Sequence, residues 1–243
     1  MKKTAYFIGV TALLSAASAR TDAQTLTIRS YGEYRQMIRL KKTEGAVHLR
    51  NAIAPQHAYA VGALQKGVGE ITVIDGEAWL DYGSDGIGNA KRVIPADEQA
   101  VLLVTAQVAG WQTVTIDRPL SKEALFETIL EKAEERNLDT AKPFPFLLEG
   151  NFSALSIHVI NGRDPAFVKP GGKTKLYRQL REKRTHQNAA VVGFYSARSQ
   201  GIYTHPGESW HLHALIKEEK IGAHVDDIVS EANITLKLPL DNR

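Results

Sequence analysis

His211, His213 and His224 stand near the C-terminus in an H-x-H-x10-H arrangement, and three imidazoles brought to one point make a set that binds zinc. The stretch from Trp210 to Ile216 alternates in polarity, so as a strand it turns both of its histidines to one side. Lys217-Glu218-Glu219-Lys220 reads as a polar turn, and the run from Ile221 to Asp226 as the returning strand. Pairing Lys217 with Lys220 sets Ile216 opposite Ile221 and His213 opposite His224, a register at which facing Cβ atoms lie about 4.5 to 5.5 Å apart. A slip of one residue would send His224 to the far side. Three nitrogen ligands leave a fourth position for water or substrate, the pattern of a catalytic zinc rather than a closed structural one. The competing reading is a polar strand face whose histidines bond locally. Asp226, two residues past His224, is a candidate to orient one of the rings, the alternative being a solvated acid.

A second hairpin supplies carboxyl groups. Residues 70–74 and 77–81 alternate on either side of Asp75-Gly76, the two-residue signature of a type I′ turn. Pairing Ile74 with Glu77 puts Ile71, Val73, Ala78 and Leu80 on a core face. Glu70, Thr72, Glu77, Trp79 and Asp81 then share the other, which is too acidic to be buried without a reason. If that face is turned toward the metal, Glu77 is the candidate to move a proton to or from a substrate carbon, with Glu70 as a second carboxyl beside it.

Other motifs fall short. Gly172-Lys173-Thr174 resembles the end of a phosphate-binding loop, but the position five residues before Gly172 is Phe167, and Gly86-Ile87-Gly88 lacks the third glycine of a dinucleotide fingerprint. There is no Ser or Cys nucleophile motif. His158 reads as a structural histidine on its strand, and His48, His57, His186 and His205 as exposed ones.

These residues have to be positioned by the rest of the 243-residue chain, whose 43% hydrophobic and 23% charged content is ordinary for a globular protein. Residues 1–19 read as a cleavable leader: Lys2 and Lys3, an apolar run from Ala5 to Ala16, then Ala17-Ser18-Ala19. The mature protein, 20–243, is therefore expected in the periplasm or secreted. With no cysteine, a metal must rely on His, Asp and Glu. The net charge of +3 owes much to Lys173–Arg184, which reads as a solvated helix face, and no aromatic pattern accompanies it to suggest nucleic acid. The expected partner is a small anionic molecule, with no nucleic acid and, once the leader is removed, no membrane. A homodimer is left open. Strands are expected at 100–108, 112–116, 154–160 and 189–197, with a turn at Asn161-Gly162. One long helix follows Ser121, its apolar stripe formed by Leu125, Phe126, Ile129, Leu130 and Ala133. Pro143 and Pro145 divide an N-terminal β half, about 45–140, from a C-terminal one with the histidine hairpin, about 146–235. The fold class is α+β, predominantly β, with mixed or antiparallel sheets that are partly barrel-like.

The segments Gly69–Glu77, Ile157–Gly162, Val191–Tyr195, Trp210–His213 and Gly222–Val225 together resemble the alpha-acetolactate decarboxylase family in order and spacing. The resemblance spans about residues 45–230, and Asp-Gly-Glu and His-x-His with Gly-x-His-Val are its most specific parts. It implies two β-rich halves around one zinc on His211, His213 and His224, Glu77 as the active-site acid, and conversion of 2-acetolactate, or a related 2-hydroxy-3-keto acid, to acetoin and carbon dioxide. Zinc as a Lewis acid and a neighbouring carboxyl as proton donor are the residue types such a reaction needs. The chain departs from the family at three points. Glu70 stands where a threonine is expected, an arginine that would hold the substrate is missing, with Lys169 or Lys173 as substitutes, and the short tail has no counterpart to a C-terminal glutamate. The rival readings are an exported zinc- or ligand-binding protein on the same scaffold without catalysis, and a metal-dependent hydrolase.

Overall fold

The structure, a computed structural model, describes residues 26–169 and 174–240. The expected leader, Lys173 and the glycines before it lie outside the described residues. The N-terminal part runs β1 (Thr27–Tyr31), α1 (Tyr34–Leu40), β2 (Val47–His48), α2 (Leu49–Ala52), β3 (Ala58–Leu64), β4 (Gly69–Ile74), β5 (Glu77–Tyr82) and β6 (Gln99–Gln107). The remainder runs β7 (Trp111–Ile116), α3 (Lys122–Glu135), β8 (Phe144–Arg163), β9 (Tyr177–Tyr195), β10 (Trp210–Ile216), β11 (Ile221–Ser230) and β12 (Ile234–Pro239).

Two antiparallel sheets result, which is the predominantly β, α+β class expected. The first has the order β1-β6-β3-β4-β5, with β2 beside β6, and the second β11-β10-β9-β8-β12-β7. A further β11–β8 pairing closes β8, β9, β10 and β11 into a ring. β3 (AYAVGAL) and β6 (QAVLLVTAQ) are near-continuous apolar runs buried on both faces, and they form the middle of the first sheet. One face of that sheet meets the second sheet, where Val61, Leu102 and Val104 pack with Leu147, Val192 and Phe194. Its other face buries Leu49, Ile71, Val73 and Leu80.

β7 follows β6 after three residues yet enters the other sheet, pairing with β12. α3 covers the second sheet by burying Leu125, Ile129 and Ala133 completely, each large aliphatic side chain contributing about 1.5–3 kcal/mol. Its first turn is capped by Ser121, whose Oγ accepts from the Ala124 N–H at 3.4 Å.

Two local expectations are corrected. Tyr177–Arg184 is the start of β9 rather than a helix face. Exposure alternates strictly from Arg181 to Thr185, and β8 supplies a partner for the whole run, so the charges divide between two faces at the period of a strand, Arg181 and Lys183 on one and Glu182 and Arg184 on the other. Asn161-Gly162 does not turn the chain either. β8 continues to Arg163 across a register shift between Ile160 and Arg163, with Gly162 at φ +70°, a bulge conformation natural to glycine, and residues 164–176 make the connection.

Both chemically informative hairpins have the expected registers. His213 faces His224 and Ile216 faces Ile221, and the Lys220 N–H donates to the Lys217 carbonyl at 3.2 Å. In the other, Ile74 faces Glu77 and Glu70 faces Asp81, with Asp75 and Gly76 both at positive φ as a type I′ turn requires.

Candidate metal centre

The β10–β11 register places three imidazoles on one side, and their ring centroids lie 5.1 Å (His211–His213), 5.1 Å (His211–His224) and 5.5 Å (His213–His224) apart. One nitrogen of each falls within 4.8 Å of the others, the spacing of ligands around a shared ion. All three are buried, His213 completely. Burial, aided by the neighbouring histidines, pushes His211 down to about 3 and holds His213 and His224 well below the ordinary imidazole value. The rings are therefore neutral across the physiological range, the form that ligates metal.

The acidic face of the β4–β5 hairpin is buried after all, and the reason is this centre. Thr72 Oγ1 lies 3.1 Å from His213 Nδ1, which leaves Nε2 as the ligating atom and fixes the ring as an outer partner does in metal sites. His213 Nε2 and His211 Nδ1 have no hydrogen-bond partner among the described residues. Two buried, unpartnered nitrogens on converging neutral rings, with no thiol in the chain, fit a divalent metal that accepts nitrogen ligands.

Glu70 is the carboxyl at the centre. It is 3% exposed, its Oε2 lies 3.7 Å from His213 Nε2, and its Oε1 accepts from the Ile160 N–H at 3.3 Å. Burial, with the charges of Asp81 and Asp226, pushes it up to about 8. Burial thus favours the protonated form over the carboxylate, the direction a proton donor needs. Asp81, opposite Glu70, accepts from the Gly222 N–H at 3.3 Å, tying the carboxyl hairpin to the histidine hairpin. Burial raises Asp81 to about 6.

The other candidates are placed elsewhere. Glu77 stands at the turn end of its hairpin, half exposed, and its carboxylate meets Arg92 at 2.6 Å and Lys217 at 3.9 Å. It shares the face with Glu70 but does not line the cavity over the triad. Lys169 is exposed. Asp226 orients His158, through Nδ1 at 2.9 Å, and not a ring of the triad.

Two histidines read as incidental belong to the surroundings of the centre. His158 faces His224 across β8 and β11 with rings 4.6 Å apart, because those strands pair despite lying far apart in sequence. His205 is stacked between Tyr34 of α1 at 4.6 Å and His224 at 5.4 Å. Nothing local to either residue announces this. The strand alternation around His158 allowed it, but the pairing partner is not written in the segment. A cavity of about 540 Å³ opens over the centre, with Glu70, His158, His211 and His224 in its lining and Leu102 and Phe167 among its apolar walls. That volume is ordinary for a small-molecule site.

Similarity to known proteins agrees with this geometry. An acetolactate decarboxylase from Bacillus subtilis subspecies spizizenii superposes with a TM-score of 0.70 at 19% identity, covering 87% of this chain and 85% of that one. The alpha-acetolactate decarboxylase from Bacillus subtilis strain 168 gives 0.69 at 20% identity, over 87% and 85%. A Staphylococcus aureus protein of unknown function, described as similar to alpha-acetolactate decarboxylase, gives 0.67 at 16%, over 87% and 84%. No protein of curated function matches the sequence. These likenesses establish the shared fold, and the alpha-acetolactate decarboxylase family model matches residues 51–240. Through that match across most of its length, the chain belongs to the alpha-acetolactate decarboxylase family.

Proposed function

We propose that the protein is an exported, zinc-dependent decarboxylase that converts 2-acetolactate, or a closely related 2-hydroxy-3-keto acid, to acetoin and carbon dioxide. The observation that carries this reading is a buried carboxyl, Glu70, 3.7 Å from a ring of the histidine triad at a cavity of small-molecule size. Held by His211, His213 and His224, a zinc ion would supply a Lewis acid for the charge that develops on the ketone oxygen as carbon dioxide leaves.

The chain's own residues do the rest. The electron pair of the broken carbon–carbon bond is left on the substrate, and the carbon that lost its carboxylate must take up a proton. Glu70 gives it, becoming a carboxylate that solvent reprotonates. Ile160 holds one oxygen of that carboxyl through its N–H, so the other is directed toward the triad. Thr72 holds the Nδ1 side of His213, so that Nε2 faces the ion.

The assignment moves the proton-donating role from Glu77 to Glu70, and one pair of substitutions tests it. Zinc-loaded protein is incubated with racemic 2-acetolactate while acetoin is followed. Glu70→Gln is expected to retain its zinc and lose about 100-fold or more in turnover, the scale of a lost general acid, while Glu77→Gln stays within about twofold of wild type, as expected of a surface carboxylate. Equal losses in the two variants would remove Glu70 from the role. Zinc binding by wild type without acetoin would instead favour a ligand-binding protein on the same scaffold.

A further inference from the structure

The row of opposed residues that contains the triad does not stop at His224. It runs His213, His224, His158, Arg181 across β10, β11, β8 and β9, and Gln179 lies two residues from Arg181, opposite Ile160. Three of these side chains, Arg181, Gln179 and His158, close a ring of hydrogen bonds with Asp226. Arg181 Nη1 donates to Asp226 Oδ2 at 2.7 Å, and its Nη2 donates to Gln179 Oε1. Gln179 Nε2 lies 3.1 Å from His158 Nε2, and His158 Nδ1 lies 2.9 Å from Asp226 Oδ2.

Arginine only donates, and that fixes every other orientation. Gln179 must turn its oxygen to Arg181 and its NH₂ to His158. His158 must therefore accept at Nε2 and carry its proton on Nδ1, facing the carboxylate of Asp226. His158, His224 and Asp226 also fall within metal-ligating range of one another, but the bond ring accounts for the closeness of His158 and Asp226, and the β8–β11 pairing for that of His224, without a second ion. Gln179 keeps a hydrogen of its own: its amide nitrogen has two, and only the one to His158 has a partner among the described residues. Gln179 lines the cavity, next to His158 and on the side of Glu70.

We propose that Gln179 is the specificity residue that receives an anionic oxygen of the substrate, its free N–H presented to the cavity by Arg181 and His158. The inference rests on the reading of this cavity as the site of a small hydroxy acid. Lys169 is exposed, and although Arg35, Arg39 and Lys175 also line the cavity, Gln179 is the lining residue hydrogen-bonded to His158, the neighbour of the triad's His224. Arg181 acts at one remove: it polarises the amide and locks its direction, making it a positioning residue. A preset donor of this kind costs no reorganisation when the ligand arrives.

The test measures binding to zinc-loaded protein by calorimetry. The anionic probe is 2-hydroxy-2-methylpropanoate, which has no neighbouring ketone and is not decarboxylated. The neutral control is 3-hydroxy-3-methylbutan-2-one, and acetoin formation from 2-acetolactate is recorded alongside. Gln179→Leu is expected to weaken the anion about tenfold or more, as loss of a hydrogen bond to a charged group does, with zinc content and binding of the neutral control unchanged. Gln179→Glu, of nearly the same shape, should weaken the anion at least as much, and it decides the matter if the leucine variant does not fold. Arg181→Met should show a smaller loss, about threefold to tenfold, confined to the anion. Affinities within twofold of wild type in both Gln179 variants, equal losses for anion and neutral control, or no binding of the anion by wild type would each overturn the proposal. Anion binding that depends on Gln179 without acetoin formation would uphold it and fail the decarboxylase reading instead.

Discussion

Single residues divide here into those that hold and those that tune. Thr72 is the clearest of the second kind, because its hydroxyl engages Nδ1 of His213 and leaves Nε2 without a protein partner. Thr72→Val should leave the fold intact and lower zinc affinity about 10- to 100-fold, the usual effect of losing an outer partner of a metal-bound histidine, and competition with a chromogenic chelator would measure it. An affinity equal to wild type would make the contact incidental. The triad was legible in the sequence because alternation and a short polar turn determine which side each ring takes. Glu70 and Glu77 were both legible as candidate carboxyls, but which of them lies nearer the triad was not, since both lie on one face. What separates them is distance along the strand: Glu70 is at the end packed against the second sheet, and Glu77 at the turn, where Arg92 and solvent claim it.

At the scale of elements, the two hairpins meet through buried polar contacts as well as apolar ones, and this makes stability depend on pH. Asp81 has its folded value raised by burial from 3.8 to about 6, so the folded protein binds its proton more tightly than the unfolded chain. Stability is therefore greatest below about pH 4 for this group and declines as pH rises toward about 6, beyond which no more is lost. Asp81→Asn should flatten that part of the curve, with melting temperatures at pH 4.5 and 7 closer together than in wild type. An unchanged difference would assign the pH dependence to other groups. Strand packing gives a second test. A Cβ at Gly193 would stand 2.2 Å from the Phe146 ring, and that ring is fully buried. Gly193→Ala should cost about 1–3 kcal/mol as an overpacked core, read as a lower midpoint in urea. The short amphipathic signals of α3 and the two hairpins were readable because their contacts are local. The β8–β11 pairing and the entry of β7 into the second sheet were not, because nothing within a strand names its partner across the chain.

The whole molecule joins two sheets without a disulfide or free thiol, so its cohesion rests on the shared core and on whatever ion the triad holds. If the leader reading is right, the exported protein begins at Arg20, and N-terminal sequencing of periplasmic or culture-medium protein should find that residue. A mature chain that still starts at Met1 would place it inside the cell. One feature bears on how such a chain behaves under stress. All three imidazoles of the triad come from a single 16-residue ribbon, residues 210–225, whereas Glu70, Thr72 and Asp81 reach that ribbon from about 140 positions upstream. Closing a short loop is the lesser entropic demand, so grip on the ion and competence for chemistry should fail at different points. At intermediate urea concentrations the protein is expected to keep its zinc while acetoin production has already stopped, a loaded but silent form that regains activity when the two sheets close again.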